Sequence, residues 1–276
     1  MERKYGFVPS PKDLRDYKLN NVYMSVQLPT EFKVAHSEIK DQGMVNSCVA
    51  HSIAEILEAN ELNRTKYSTG WIYGYRPNGY YQGEGMITAE ALKTVNKVGY
   101  IKYEDLDVNI EMKEAKDIVD KNMNIYRDRA SRRKIASYAR LRSANEIKQA
   151  LYTSNKPVLL AIMVGTNGIE LDKKNVAYIP TEYAGGHQMV CYGWNELGFL
   201  IQNSWGEDFG DKGTFILPYE YPIAESWLIK FQGEVTDTSS ITKPKFYCLR
   251  KLSMKLYKAV KKIIKKWNYL IEFLKQ

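Results

Sequence analysis

The hydrophobic pattern of this chain changes period once, near Pro157, and that switch limits the fold more than any other feature of the sequence. Before it, apolar residues recur at helical spacing. One such run starts at Cys48 and continues through Val49, Ile53, Ile56 and Leu57; a second covers 88–98, with Glu90 in its first turn and Gly99 just past its end. A charged stretch over roughly 111–140 reads as one long helix. "SANEIKQAL" then opens with a capping box, Ser143 as N-cap and Glu146 three residues on. After Pro157 the runs are short and strand-like: VLLAIMV, HQMVCYGW, GFLIQNSW, GTFILP and SWLIKF, separated by Gly, Asn and Asp. Helices followed by strands predict an α+β chain with an antiparallel sheet, not alternating βα units.

At 276 residues, 44% hydrophobic and 26% charged, the chain can bury a core for one large or two modest domains. Its +8 charge is uneven. From Lys243 to Gln276 there are eleven Lys or Arg and one Glu, a net of +10, which leaves the other 242 residues at −2. A broad nucleic-acid-binding face therefore has no support in the body of the chain. The N-terminus has no apolar signal region, and no window offers about 18 uncharged apolar residues, so a cytoplasmic protein is expected. Three distant cysteines, Cys48, Cys191 and Cys248, fit a reducing compartment better than a disulfide framework.

The expected organisation is a leader over 1–27, a helical region over 28–140 and a β-rich region over 141–235. A polar linker over 236–242 and a basic tail over 243–276 complete it. On a helical wheel the tail places Leu249, Leu252, Leu256, Val260, Ile263, Trp267, Leu270 and Leu274 on one stripe, with lysines opposite. Such a helix suits an anionic membrane surface or a protein groove, or it folds back on the body; its charges do not interleave with aromatics as nucleic-acid binding would ask.

The chemistry centres on Cys48. A thiol at a helix N-terminus is drawn toward the thiolate by the unpaired N–H groups, and Asn46 and Ser47 suit the cap. A thiolate also needs a base and an oxyanion donor. Gln42, six residues upstream, offers a side-chain N–H. Of the three histidines, His36 lies in a polar loop and reads as surface. His51, one turn past Cys48, reads as packed or locally bonded, within reach of the thiol's surroundings. His187 opens a strand behind two glycines, and Asn203 follows sixteen residues later. An Asn oxygen accepting from the imidazole would fix its tautomer, and Trp205 could shield that bond, the orienting role of a triad. Cys191 reads as core and Cys248 as incidental.

DQGMVNSCVAHS, GGHQMVCYGW and IQNSWGEDFGDKGTFIL resemble the three signature blocks of the papain-like (C1) cysteine peptidases, in the family's order Gln, Cys, His, Asn. The resemblance covers about 28–231 and is nearest to compact bacterial and phage members, through KYGFVPSPKDLRDYKL and STGWIYGYRP. It implies a helical left domain and a β-barrel-like right domain with the active-site cleft between them. It implies Cys48 as nucleophile, His187 as base and acid, Asn203 as orienter and Gln42 in the oxyanion hole. Gly85 would pair with substrate backbone on the left wall and Trp205 would form part of the primed side. The reaction the resemblance implies is hydrolysis of a peptide bond in a protein or peptide substrate through a thioester, with no cofactor or metal.

The chain departs from the family at several points. Val45 replaces the usual half-cystine, Asn46 the following Gly, and Val49 the aromatic after the nucleophile. Gly186 stands where Asp often precedes the His, and Phe209 replaces the second Trp. Only about 27 residues precede LPTEF, which leaves control of activity open. Two alternatives remain: a Cys-His hydrolase of cell-wall peptides, against which Gln42 and NSWG speak, and a catalytically silent binding module, for which the altered VNSCV loop speaks.

Overall fold

The computed structural model describes residues 3–13, 26–61 and 65–232. The expected linker, the basic amphipathic tail and Cys248 lie outside the described residues. The first elements are strand β1 (Phe7–Val8), strand β2 (Phe32–Lys33), helix α1 (Cys48–Ala59), helix α2 (Thr69–Gly74), strand β3 (Met86–Ile87) and helix α3 (Thr88–Lys97). Helices α4 (Met112–Lys121) and α5 (Met123–Ser131), strand β4 (Ser137–Leu141) and helix α6 (Ala144–Ser154) follow. The chain closes with β5 (Val158–Gly165), β6 (Tyr183–Trp194), β7 (Phe199–Gln202), β8 (Thr214–Leu217) and β9 (Ile223–Lys230).

The one long helix expected over 111–140 is instead two helices and a strand. Asn122 leaves the helical region at φ −117° and ψ 20°, and its backbone N–H reaches back to Asp120 and Val119. The chain then pairs β4 with β9 from Ser137 to Leu141. Tertiary pairing overrides a helix-favouring composition there. The capping box forms in a modified way: Ser143 Oγ accepts from Glu146 N–H, while the Glu146 carboxylate accepts from Arg142 N–H.

The sheet runs β3-β1-β6-β5-β9-β4, with β2 and β7 also on β6 and β8 on β7. Every pairing is antiparallel except β1 with β3. Alternation along its central strands divides two cores. Leu159, Ala161 and Val190 join the cluster built on α1, α2 and α3, whereas Leu160, Ile162, Met189 and Cys191 join the cluster under α6 and β7–β8. A sheet buried on both faces explains why β5 reads as an unbroken apolar run. Register breaks at Val164/Gly165, Ala161/Ile162 and Cys191/Gly193 bend the strands, as bulges do.

Helix α1 lies at the centre of the first core, with eleven of its residues buried from Cys48 to Glu58. It is tied to β6 by a hydrogen bond from Ser52 Oγ to the Gln188 carbonyl at 3.0 Å. That bond links the turn after Cys48 to the residue after His187, so the helix start and the strand are held in fixed register.

Candidate active site

Cys48 is the first residue of α1, fully buried. Ser47 holds the N-cap position, but its hydroxyl does not cap the helix; it is drawn to His51 Nδ1 at 3.1 Å and Asn109 Oδ1 at 3.3 Å. His51 is buried, its Nδ1 also 3.0 Å from the Ser47 carbonyl. Burial pushes its pKa down to about 4. It is a locally bonded ring, and His36 is exposed beside Ser37 and Tyr192.

His187 is fully buried on β6 with Nε2 2.8 Å from Asn203 Oδ1. The same oxygen accepts from the Ser204 backbone N–H at 2.8 Å. An N–H can only donate, so the Asn203 amide presents its oxygen here, Nε2 carries the imidazole proton and Nδ1 is the acceptor. Nδ1 is buried without a hydrogen-bond partner. The Trp205 ring stacks on His187 at 4.6 Å and 27°, and Phe209, in place of the family's Trp, packs edge-on against Trp205 at 5.0 Å.

Gln42 is buried and braced from both sides. Its Oε1 accepts from Ser204 Oγ at 2.8 Å, and its own backbone carbonyl accepts from Asn109 Nδ2. Its Nε2 donates to the Val45 carbonyl at 2.8 Å and points at the Lys4 carbonyl, 3.4 Å away. Ser52, Ser204 and Asn109 are site-building residues that no motif spacing announced; Ser204, within "NSWG", was open to that reading.

The leader itself fills the space over these groups. β1 inserts between the two walls of the site, parallel to β3 through Phe7↔Met86 and Val8↔Ile87, and antiparallel to β6 through Phe7↔Gly186. Arg3 pairs with Asp41 at 2.9 Å and donates to the Trp205 carbonyl. Tyr5 sits 6.3 Å from the His187 ring and 6.2 Å from Trp205. The Gly6 carbonyl accepts from Met86 N–H at 2.7 Å.

Two glycines make that crossing possible. A Cβ on Gly6 would lie 1.9 Å from the Asn46 carbonyl oxygen, where real contacts never fall below 3.0 Å. A Cβ on Gly186 would meet Phe7 Cδ1 at 2.4 Å, so the absence of the family's Asp there is what admits the leader's ring. Asn46 is absent from the positive-φ residues, so replacing the family's Gly carries no left-handed strain. On the left wall the hydrogen bond to the crossing segment comes from Met86, one residue beyond the expected Gly85. Gly85 adopts φ 86° and its own groups are engaged, N–H to Tyr73 Oη and carbonyl to Arg76.

Burial, to which the leader contributes, sets the electrostatics. It pushes the Cys48 thiol up to about 11, while backbone groups of Gln188, Gly6, Val49 and Cys48 pull weakly the other way. The helix start alone was expected to favour the thiolate; desolvation outweighs it here. His187 is pushed down to about 4 by burial, against the Asn203 hydrogen bond and helped by Arg3 and His51. Burial thus favours the neutral form of each group. Among the described residues no group of three or more His, Cys, Asp or Glu is arranged to hold a metal, and no helix is long and apolar enough to cross a membrane.

A sheet buried on both faces packs against a central helix that begins at Cys48, and His187 on β6 is held by Asn203 just past the end of β7. Residues 28–224 match the family described as papain family cysteine protease, and the chain belongs to that family. It is a papain-like cysteine peptidase. A peptidase C1-like protein of Acanthamoeba polyphaga mimivirus, itself uncharacterized, is 28% identical over 236 residues, 74% of this chain and 71% of that protein. Xylellain, a cysteine protease from Xylella fastidiosa, superposes with a TM-score of 0.68 at 21% identity, over 84% of this chain and 98% of its own. A procathepsin B from Trypanosoma congolense gives 0.63 at 14% identity, over 82% and 85%. These last two show the papain-like α+β fold.

Proposed function

We propose that this protein is a cysteine endopeptidase whose catalytic groups are Cys48, His187, Asn203 and Gln42. The observation that carries the reading is the orientation of His187, whose Nε2 proton is held by Asn203 while a buried, unpartnered Nδ1 is left to take a proton. Once the leader is out, His187 Nδ1 takes the Cys48 proton and the thiolate attacks the substrate carbonyl. The oxyanion that forms is met by Gln42 Nε2–H and by backbone N–H at the helix start. His187 then protonates the departing amine, the thioester remains on Cys48, and a water activated by the same imidazole hydrolyses it. Trp205 stacks over the His–Asn pair and excludes water from its hydrogen bond. Gly85 shapes the left wall and Met86 supplies its backbone donor.

The leader is part of the same reading, as a cover. In a productive complex the acyl half of the substrate lies along Met86 and the leaving half over Trp205. The leader runs the other way, from Arg3 and Tyr5 at Trp205 to Val8 at Ile87. With its polarity reversed, its amide nitrogens lie on the wrong side of the attacked carbonyl for His187 to protonate. A segment held so is retained instead of cleaved. Adaptation to cell-wall peptides has no feature of its own among the described residues.

Hydrolysis of a broad fluorogenic peptide library under reducing conditions tests this. Full-length protein with Gly6→Val, whose new side chain cannot share the space of the Asn46 carbonyl, is expected to hydrolyse; the same chain with Cys48→Ala is not. No hydrolysis by the Gly6→Val protein would overturn the reading.

A further inference from the structure

Resting on the peptidase reading above, we infer that Arg76 is a positioning residue for substrate binding: from inside the fold it aims the Met86 N–H, the backbone donor on the left wall of the cleft. That N–H belongs to the peptide unit whose carbonyl is the Gly85 carbonyl. The unit is trans, so its N–H and C=O point in opposite directions. On one side the carbonyl accepts from Arg76 Nη2 at 2.6 Å; on the other the N–H donates to the leader's Gly6 carbonyl at 2.7 Å. Holding the first bond therefore sets the direction of the second.

The local backbone is poorly suited to set it alone. Residues 75–85 form neither helix nor strand, carry glycines at 79, 83 and 85, and contain no cysteine that could tie them covalently. Gly85 faces the cleft with bare backbone: a Cβ there would lie 2.4 Å from the Gly6 carbonyl oxygen. A glycine at φ 86° can also turn over the peptide plane that follows it at little cost. A turned plane would present a carbonyl to the cleft and repel the carbonyl that now bonds there.

Arg76 opposes that turn. Two residues past α2, it is 3% exposed, and its guanidinium spreads over four main-chain carbonyls. Nε donates to Tyr73 at 2.9 Å, Nη1 to Tyr81 at 2.7 Å and to Gly83 at 3.2 Å, and Nη2 to Gly85. The Tyr73 ring lies 5.1 Å from Cζ, and its hydroxyl accepts from the Gly85 N–H at 3.2 Å. Both peptide units that flank Gly85 are thus held from the end of α2. A planar fork of five donors reaches carbonyls so spread; the single ammonium of a lysine keeps the charge and loses most of the bonds.

The role is read in full-length Gly6→Val protein with Arg76→Lys added, on two substrates, with rates expressed per Cys48 that iodoacetamide labels. A fluorogenic peptide lays main chain along the wall; p-nitrophenyl acetate has none to lay. Arg76→Lys is expected to lower kcat/KM on the peptide about tenfold, chiefly through KM, because the hydrogen bond to the wall is made before and during reaction alike. Turnover of p-nitrophenyl acetate stays within about twofold. Tyr73→Phe, which removes the acceptor of the Gly85 N–H, moves the ratio of the two substrates in the same direction. A loss of equal size on both substrates, or none on the peptide in either variant, overturns the inference and leaves the peptidase reading intact. No turnover of either substrate by Gly6→Val protein overturns the peptidase reading, and the positioning is then decided without turnover, by hydrogen exchange in the otherwise unaltered chain. There Arg76→Lys speeds exchange of the Met86 N–H about tenfold while the amides between β5 and β6 keep the parent's rates. Met86 exchange that is unchanged, or raised together with the sheet's, contradicts the inference.

Discussion

Cys48 and Cys191 are both fully buried, and burial pushes both thiols up, to about 11 and about 12. What buries them differs. Cys191 lies in the second core, between β5 and β7, with its Sγ on the Gly193 carbonyl, and nothing short of unfolding exposes it. Cys48 is buried in part by β1, a two-residue strand of the leader held by a few hydrogen bonds and by ring contacts of Tyr5. Equal burial therefore has two origins: one thiol is enclosed by the core, the other in part by a short segment that the proposed function treats as a removable cover.

The machinery around Cys48 should break the likeness most sharply. In Gly6→Val protein, Gln42→Ala is expected to lower kcat by about 10²–10³, the size of a lost oxyanion donor, measured by steady-state hydrolysis. Removing the cover comes next. Gly6→Val raises hydrolysis about a hundredfold over the parent chain if the open cleft is a roughly 1% state of the latter. Gly186→Asp, which meets the Phe7 ring, acts in the same direction.

Acid should then loosen the covered form. His187 and His51 both sit near 4 in the fold, below their ordinary 6.5. The unfolded chain takes up those protons first, so stability present above pH 6.5 is lost as pH falls toward 4, by on the order of 3 kcal/mol for each ring. Thermal melts between those limits check this, and His51→Gln should flatten part of the slope. Glu55 gives the smallest effect and the opposite sign. Both its oxygens are buried without a hydrogen-bond partner, and burial raises its pKa well above the ordinary carboxyl value. The fold keeps that proton longer than the unfolded chain does, so stability falls as pH rises past the ordinary range. Glu55→Gln should raise Tm at pH 7, by roughly 2–4 °C for each kcal/mol relieved.

The comparison also shows what the sequence could reveal. The start of α1 at Cys48, the short strands after Pro157 and the pairing of His187 with Asn203 follow from spacing and local chemistry, which a sequence carries directly. The break at Asn122 and the strand over Ser137–Leu141 depend on a partner, β9, nearly a hundred residues away, which no local pattern announces. For the same reason the thiol's environment differs from what its position on the helix alone implies. A helix start favours the thiolate, but the leader that desolvates it is brought in through Phe7↔Gly186 and Gly6 on Met86. Glu225, just before SWLIKF, is a lone acidic residue in the sequence and gains its partners only when the fold brings Ser10 and Arg140 beside it.

The most direct test of the account is alkylation by an epoxide-type inhibitor of papain-like enzymes, with the label mapped by mass, on the full-length chain and on Gly6→Val. The account predicts slow labelling of Cys48 in the parent chain, fast labelling of Cys48 in the variant, and no label on Cys191 in either. Labelling of Cys48 at equal rates in both chains, or a variant whose Cys48 stays unlabelled, would contradict it.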